Sequence, residues 1–281
     1  MDTLVVLTFI FVILVEIIFP LLVGYWIIRR FNVPWKLFTY GIIFFIIVQV
    51  FHTPLVLSTQ LPLLQFLTVT VANQTIALAI FAAILGILAG LFEEIGRYLV
   101  FTYFFPWRGI DLSKENGLLF GAGWGGIESI AIGGLLILTL VSYIVAAPLT
   151  EQQLQELNQS LGGTLTEEQV QALQNQNQAL RNLTPWDILP GLFERFSAFI
   201  LQIAFTLLVL TAVVQGRLLL LGLAIFWHAL VDFFAVFLSA TVGILVTEAT
   251  LAALALIGIW FIWWVWRRGV FEADSRSMNP G

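Results

Sequence analysis

Long runs of apolar residues separated by short polar segments dominate the pattern of this chain. A helix needs about 20 apolar residues to cross roughly 30 Å of hydrocarbon. Runs of sufficient length lie at about 4–28, 37–57, 76–104, 117–147, 188–214, 218–241 and 244–266. The pattern therefore predicts an all-α fold, a polytopic transmembrane helix bundle of about seven spans.

The composition agrees with this interpretation and excludes several classes of function. Of the 281 residues, 60% are hydrophobic and only 10% are charged, whereas about a quarter of an ordinary soluble chain is charged. The chain has no Cys, which excludes disulfides, thiolate metal sites and cysteine nucleophiles. It has no basic block, so a nucleic-acid partner is not expected.

The positions of Lys and Arg predict the orientation of the spans. Nine of these residues fall in four segments that seven spans would place on one side of the membrane: Arg29, Arg30, Lys36, Arg108, Lys114, Arg217, Arg267, Arg268 and Arg276. The positive-inside rule assigns that side to the cytoplasm. We therefore expect a multi-pass location in a cell membrane, with an external N-terminus and a cytoplasmic C-terminus.

One sizeable polar segment, at about 149–184, lies on the predicted outer side. Thr150 with Gln153 and Thr166 with Gln169 have the spacing of capping boxes, which begin helices. The segment predicts an external helical hairpin inserted into a single membrane domain of residues 1–281. The hairpin either packs on the bundle or its own partner helix, or serves as a lid or substrate-docking element.

Charged residues also occur inside the predicted spans: Glu16, Glu93, Glu94, Arg97, Glu128, Glu194, Arg195, His228 and Asp232. Such groups are costly in lipid and usually face a bundle interior or a partner. At a rise of 1.5 Å per residue, Glu94, Glu128, His228 and Asp232 fall within roughly 6 Å of the midplane. Three helices thus bring carboxylates and an imidazole to one slab, which predicts a functional site there.

Spacing along each helix suggests partners for these groups. Glu93 and Arg97 are four residues apart and predict an ion pair on one face. Glu94 points about 100° round the helix, so we expect it not to share Arg97 and to be a candidate general base. His228 and Asp232 also share a face. Asp232 either fixes the His228 tautomer in a packed bundle, or orients a functional His228 or joins it as a second ligand.

Three further features have simpler interpretations. Glycines in the segment from Gly121 to Gly126 predict close backbone approach between helices, as in small-xxx-small packing. That packing does not explain the carboxylate of Glu128 that follows. Glu248 is expected at a membrane rim, and His52, close to a proline at a predicted span end, is expected to be structural.

Four motifs occur in order on successive long spans over about residues 85–240: Glu93-Glu94-Ile-Gly-Arg97, Gly121-x-Gly-x-Gly-Gly-x-Glu128, Glu194-Arg195 and His228-x-x-x-Asp232. Together they resemble the YhfC family of bacterial intramembrane proteases. This family is distantly similar to the CAAX-prenyl-protease and bacteriocin-processing group.

The chain departs from that family at two positions. Trp124 and Gln202 stand where the family usually has histidines. A zinc site normally takes three or four ligands with imidazole prominent, and His228 alone remains among the motif histidines. The resemblance implies zinc as a cofactor, but the two departures predict little bound zinc and leave the metal unassigned.

The resemblance implies hydrolysis of a peptide bond at membrane depth, in a peptide or protein substrate embedded in the lipid bilayer. The implied catalytic residues are Glu93, Glu94, Arg97, Glu128, His228 and Asp232, and the implied substrate-binding residues are Trp124, Glu194, Arg195 and Gln202. In a mechanism that uses a glutamate as the general base, Glu94 or Glu93 activates water. His228 then stabilises the oxyanion and Asp232 orients His228.

Two other functions fit the same residues. A pseudoprotease would bind a membrane peptide or partner without cleaving it, and the loss of two histidines favours this alternative. A proton-coupled transporter would use the buried acids as a relay. The absence of an inverted repeat in the sequence counts against the transporter.

Overall fold

The computed structural model describes residues 2–147, 150–160, 162 and 164–268, and every regular element in these ranges is a helix. In chain order the helices are α1 (Thr3–Phe31), α2 (Lys36–Thr70), α3 (Gln74–Leu99), a π-helical turn (Val100–Phe104), α4 (Phe105–Trp107), α5 (Lys114–Ala146), α6 (Glu151–Ser160), α7 (Glu167–Arg181), α8 (Pro185–Val214), α9 (Leu218–Thr241) and α10 (Ile244–Arg267).

Within the described ranges, seven helices are long and apolar enough to cross a membrane when α3 is counted with its continuation to Trp107. This confirms the all-α fold with seven spans. The assignment of the two sides of the membrane stays a prediction. Of the basic residues used for it, Arg276 lies outside the described residues.

Helix α2 differs most from its predicted bounds. The apolar pattern predicted an end near residue 57. Proline removes a backbone N–H and clashes with the preceding turn, so it usually disrupts a helix. The helix instead continues through Pro54 and Pro62 to Thr70. Apolar residues persist over this stretch, and helical backbone satisfies most of its own hydrogen bonds in lipid, which outweighs the local cost of each proline.

The third span contains a change of helix type that could not be predicted from its sequence. After Leu99 the backbone passes through a π-helical turn, Val100–Phe104, before α4 begins. A π-turn accommodates one extra residue and is often found near functional sites. Here it follows directly on the segment that carries Glu93, Glu94 and Arg97.

The chain divides into two compact units, Met1–Ile18 with Ile130–Leu192 and Phe19–Ser129 with Phe193–Gly281. The first contains α6 and α7, which form where the polar hairpin was predicted. Both predicted capping boxes are confirmed: Gln153 N donates to Thr150 Oγ1 at 3.2 Å, and Gln169 N donates to Thr166 Oγ1 at 3.3 Å. The external position of the hairpin stays a prediction.

The second unit contains the candidate site, and close helix contacts at glycines shape it. A Cβ at Gly125 would lie 2.8 Å from the Cβ of Gln202 on α8, and a Cβ at Gly123 would collide with the carbonyl oxygen of Phe38 on α2. The predicted close packing of the glycine-rich segment is therefore confirmed. Helix α8 is the most enclosed of the seven spans, with 78% of its most apolar stretch buried, so Gln202 in this stretch faces protein.

Candidate functional site

Three charged side chains of α3 lie at the centre of the site. Arg97 Nη2 donates to Glu93 Oε2 at 3.2 Å, and Arg97 Nη1 donates to Glu94 Oε1. The expectation that Arg97 would not share both acids is wrong. A forked guanidinium presents two nitrogens, which here reach the carboxylates three and four residues before it. In this motif, the Arg97 cation therefore lies between the carboxylates of Glu93 and Glu94.

Trp124 and Gln202 complete a buried cluster around these charges. Glu93 Oε2 accepts from Trp124 Nε1 at 2.9 Å and from Gln202 Nε2 at 3.2 Å. Arg97 Nη2 donates to Gln202 Oε1, and the Arg97 guanidinium carbon lies 4.4 Å from the Trp124 ring centroid. Each member of this buried cluster (Glu93, Glu94, Arg97, Trp124 and Gln202) is at most 5% exposed.

A second group, the rim cluster of Glu128, Glu194, Arg195 and Asp232, is more open. Arg195 Nη1 donates to Glu128 Oε1 at 2.9 Å, and Arg195 Nη2 donates to Glu194 Oε1. The side chains of Glu128, Glu194 and Asp232 are 26%, 34% and 35% exposed. Gln202 Nε2 donates to Glu128 Oε2 at 2.8 Å, which joins the two clusters.

His228 lies between two carboxylates. Its Nδ1 is 2.6 Å from Glu94 Oε1, and its Nε2 is 3.7 Å from Asp232 Oδ2, beyond hydrogen-bond distance. The sequence paired His228 with Asp232, whereas the direct hydrogen bond is to Glu94. Because a carboxylate oxygen accepts there, Nδ1 carries a proton. In the neutral form of the ring, Nε2 therefore offers its lone pair on the side of Asp232.

Glycines on α3 explain why His228 meets Glu94 on another helix. A Cβ at Gly86 would collide with the carbonyl oxygen of Ala229 on α9, and a Cβ at Gly90 would lie 2.7 Å from that of Ile225. Gly86 and Gly90 form a G-x-x-x-G pair, which lets two helices cross closely. The spacing of this pair is a signal in the sequence for the contact between α3 and α9, and it was not recognised in the prediction.

A small polar cavity of about 100 Å³ lies between the clusters. Its polar lining consists of Glu93, Glu128, Glu194, Arg195, Gln202, His228 and Asp232. Since one water occupies about 30 Å³ in the liquid, the cavity has room for a few waters. The predicted convergence of charged groups from separate helices is therefore present, and the catalytic role of each stays a prediction.

Two residues near the site were not recognised from the sequence. Gln49 Nε2 donates to Glu93 Oε1 at 3.1 Å, although an uncharged residue in an apolar run gives little signal. Glu248 was expected at a rim, and it does lie in the second turn of α10. Its side chain is nevertheless buried, with a residue exposure of 9%, and its carboxylate has no hydrogen-bond partner among the described residues.

Comparison with known proteins extends the resemblance beyond these motifs. The chain is 37% identical over 146 residues to the uncharacterized membrane protein YhfC of Bacillus subtilis (strain 168), covering 51% of this chain and 52% of that protein. The chain thus matches about half the length of this curated relative. No solved structure matches the chain significantly. The family model described as YhfC intramembrane metalloprotease matches residues 11–269, and the chain therefore belongs to that family.

Proposed function

We propose that this protein hydrolyses a peptide bond in a membrane-embedded peptide or protein, in the plasma membrane of a bacterium. The observation that carries the proposal is His228. Glu94 holds its Nδ1, and the ring lines a small polar cavity with room for a few waters. A buried imidazole oriented by a carboxylate is the arrangement of a general base.

In the first step a water in the cavity attacks the carbonyl carbon of the scissile bond. His228 Nε2 accepts a proton from this water, and the carboxylate of Glu94 orients the ring and stabilises the imidazolium that forms. Asp232, close to the same nitrogen, accepts the second hydrogen bond of the water. This scheme gives water activation to His228 and orientation to Glu94, because Glu94 is fully buried and does not line the cavity.

In the second step the tetrahedral intermediate collapses. The guanidinium of Arg195 lines the cavity and stabilises the negative charge on the former carbonyl oxygen. The C–N bond then breaks, the leaving amine takes the proton from His228, and a carboxylic acid remains. Glu128 and Gln202, which are hydrogen-bonded to each other, hold the peptide backbone.

The residues around the cavity do not fit the zinc ion that the family description implies. Glu93 Oε2 faces three N–H donors, from Trp124, Arg97 and Gln202, and an indole N–H cannot ligate. The Arg97 cation already lies between Glu93 and Glu94. Within the described part of the chain, no set of three or more His, Asp or Glu is arranged to hold a metal ion.

A pseudoprotease remains the second candidate, favoured by the same donor arrangement. Trp124 and Gln202 fasten Glu93 with hydrogen bonds where the family usually has imidazoles. Such a site would bind a membrane peptide through Arg195 and the rim carboxylates without turning it over.

The test compares membranes of a bacterial host that expresses the wild-type chain, His228→Ala or Glu94→Gln. New peptide termini inside transmembrane segments are identified by mass spectrometry. We expect termini that depend on the wild-type chain and decrease by about 10²–10⁴-fold in His228→Ala, as for loss of a general base. Glu16→Gln, which alters an equally buried acid of the other compact unit, is the matched control.

Each other outcome has a definite meaning. Termini that persist in His228→Ala would refute the role of His228 as base. If the wild-type chain produces no new termini but still captures transmembrane peptides through Arg195, the pseudoprotease replaces the protease.

A further inference from the structure

A chain of hydrogen bonds on α2 reaches Glu93 from the side of Gln49. Gln49 Nε2 donates to Glu93 Oε1 at 3.1 Å. Its amide oxygen receives two contacts from the next turn of the same helix, His52 Nδ1 at 3.2 Å and Thr53 Oγ1 at 2.9 Å. Among the described residues, Glu93 Oε1 accepts from Gln49, whereas Oε2 accepts from Trp124, Arg97 and Gln202.

The direction of these hydrogen bonds follows from the carboxylate. A carboxylate only accepts, so the amide nitrogen of Gln49 must face Glu93 and the amide oxygen must face away. That oxygen in turn requires donors, which Thr53 supplies from its hydroxyl and His52 from Nδ1. His52 is therefore in the tautomer with a proton on Nδ1. Its Nε2 is buried and has no hydrogen-bond partner among the described residues.

Packing of the His52 ring also supports this chain of hydrogen bonds. The His52 ring lies against Phe92, with ring centroids 5.2 Å apart, and Phe92 directly precedes Glu93 on α3. With Gln49 in place, both oxygens of Glu93 accept hydrogen bonds, and the carboxylate cannot rotate without losing at least one of them. Leaving a buried charged acceptor unsatisfied is costly.

We infer that Gln49 is a positioning residue for the site, which fixes the Glu93 carboxylate, and that His52 and Thr53 fix Gln49. Glu93 then holds Gln202 and Arg97 in the geometry that Glu94 and His228 require. The inference rests on the proposed protease function for its kinetic consequence, whereas the hydrogen-bond chain itself is independent of any activity.

The first arm of the experiment measures kinetics on a transmembrane peptide that the wild-type chain cleaves. Gln49→Met keeps the length of the side chain but removes both polar atoms. We expect kcat to fall roughly tenfold to a hundredfold, from the unsatisfied carboxylate, with KM unchanged, because Gln49 does not line the cavity. Gln65→Met, on an exposed face of α2, is the matched control and should leave both constants unchanged.

His52 offers a pair of variants that separate hydrogen bonding from packing. His52→Phe keeps the ring against Phe92 but removes the donor, so it should lower kcat in the same direction as Gln49→Met. His52→Asn restores a donor near the position of Nδ1 and should recover most of the rate. Equal rates for wild type, Gln49→Met and His52→Phe would overturn the inference.

The second arm uses NMR and needs no substrate. The chain has two histidines, so selective ¹⁵N-histidine labelling resolves both rings, and His52→Phe assigns them. We expect His52 protonated at Nδ1 and unprotonated at Nε2 in the wild type, with this signature lost in Gln49→Met. The indole N–H signal of Trp124, assigned with Trp124→Phe, should also shift in Gln49→Met, because Trp124 reports on Glu93.

The two arms separate failure of the inference from failure of the proposed function. A wild-type His52 protonated at Nε2, or a Trp124 signal unmoved by Gln49→Met, would overturn the inference even if the protein cleaves peptides. A wild-type chain that cleaves nothing but gives both expected NMR signatures would refute the protease and leave the positioning of Glu93 by Gln49 established.

Discussion

The buried cluster and the rim cluster each place an arginine between carboxylates, yet they differ in exposure. Arg97 is fully buried between Glu93 and Glu94, whereas Arg195 contacts Glu128 and Glu194, whose side chains are 26% and 34% exposed. In a low-dielectric interior, charges must be matched by fixed partners, whereas at a partly open cavity water can compensate. The same pairing thus stabilises the fold in one cluster, and in the other it leaves charged groups at the cavity where we propose that substrate binds.

Removal of the buried cation should have the largest effect. Arg97→Met leaves Glu93 and Glu94 without their shared cation, and breaking a buried ion pair from one side costs about 3–5 kcal/mol. We expect little folded protein in detergent extracts, measured by size-exclusion chromatography and thermal unfolding. The triple variant Arg97→Met, Glu93→Gln, Glu94→Gln removes the unpaired charges and should recover folded protein. If Arg97→Met alone unfolds at the wild-type temperature, the contrast between the clusters is wrong.

Removal of the cation of the rim cluster, Arg195, should lower activity without destabilising the fold. Arg195→Met takes away the group proposed to stabilise the oxyanion, and loss of one such donor lowers kcat by about 10²–10³-fold. The variant should elute and unfold much as the wild type does, since water can reach its acidic partners. Substitution of Arg217, a basic residue outside the cavity, by Met is the control. A drop in stability as large as that of Arg97→Met would contradict the division of roles.

The metal content sharpens the comparison, because Trp124 and Gln202 belong to the buried cluster. We expect the wild-type protein to purify with little stoichiometric zinc, measured by elemental analysis. The double variant Trp124→His, Gln202→His would supply two imidazoles in addition to His228, and zinc favours such a set. We expect it to bind up to one zinc per chain. One tightly held zinc in the wild type, lost in His228→Ala, would refute the metal-free scheme.

A substitution that disturbs the close spacing between α3 and α9 should have the smallest effect, and this effect should be on stability. Gly90→Ala puts a methyl group 2.7 Å from the carbonyl oxygen of Ile225, and overpacking of this kind costs about 1–3 kcal/mol. Gly222→Ala, on α9, meets nothing within 4 Å and should be neutral or stabilising. Thermal unfolding of the two variants measures the difference. Equal unfolding temperatures would show that the helices adjust without cost.

The helices could be predicted from the sequence because hydrophobic length is nearly sufficient to specify a span. The predicted bounds of α9, 218–241, coincide with those of the observed helix. The chain turns after this helix at Gly243, whose φ is 94°. The end of α2 could not be placed in the same way. Pro54 and Pro62 are breakers in water, but the alternative in lipid, an unpaired backbone, is worse.

The membership of the site was also predictable, whereas its hydrogen bonds were not. Charge at membrane depth is enough to identify Glu93, Glu94, Glu128 and His228 as members. Spacing within one helix then favoured Asp232 as the partner of His228, but the close crossing of α3 and α9 brings Glu94 to Nδ1 instead. Gln49 carries no charge, so a search for buried ions could not find it.

Helix α2 also has a consequence for the membrane around the protein. Its 35 residues correspond to about 52 Å of helix at 1.5 Å per residue, well beyond the roughly 30 Å of a bilayer core. Several large side chains of its second half are exposed, among them Leu57, Leu61, Phe66 and Val69. Tilt, local thickening of lipid or cover by another molecule must accommodate this excess. Bilayers of greater thickness should therefore suit the protein best.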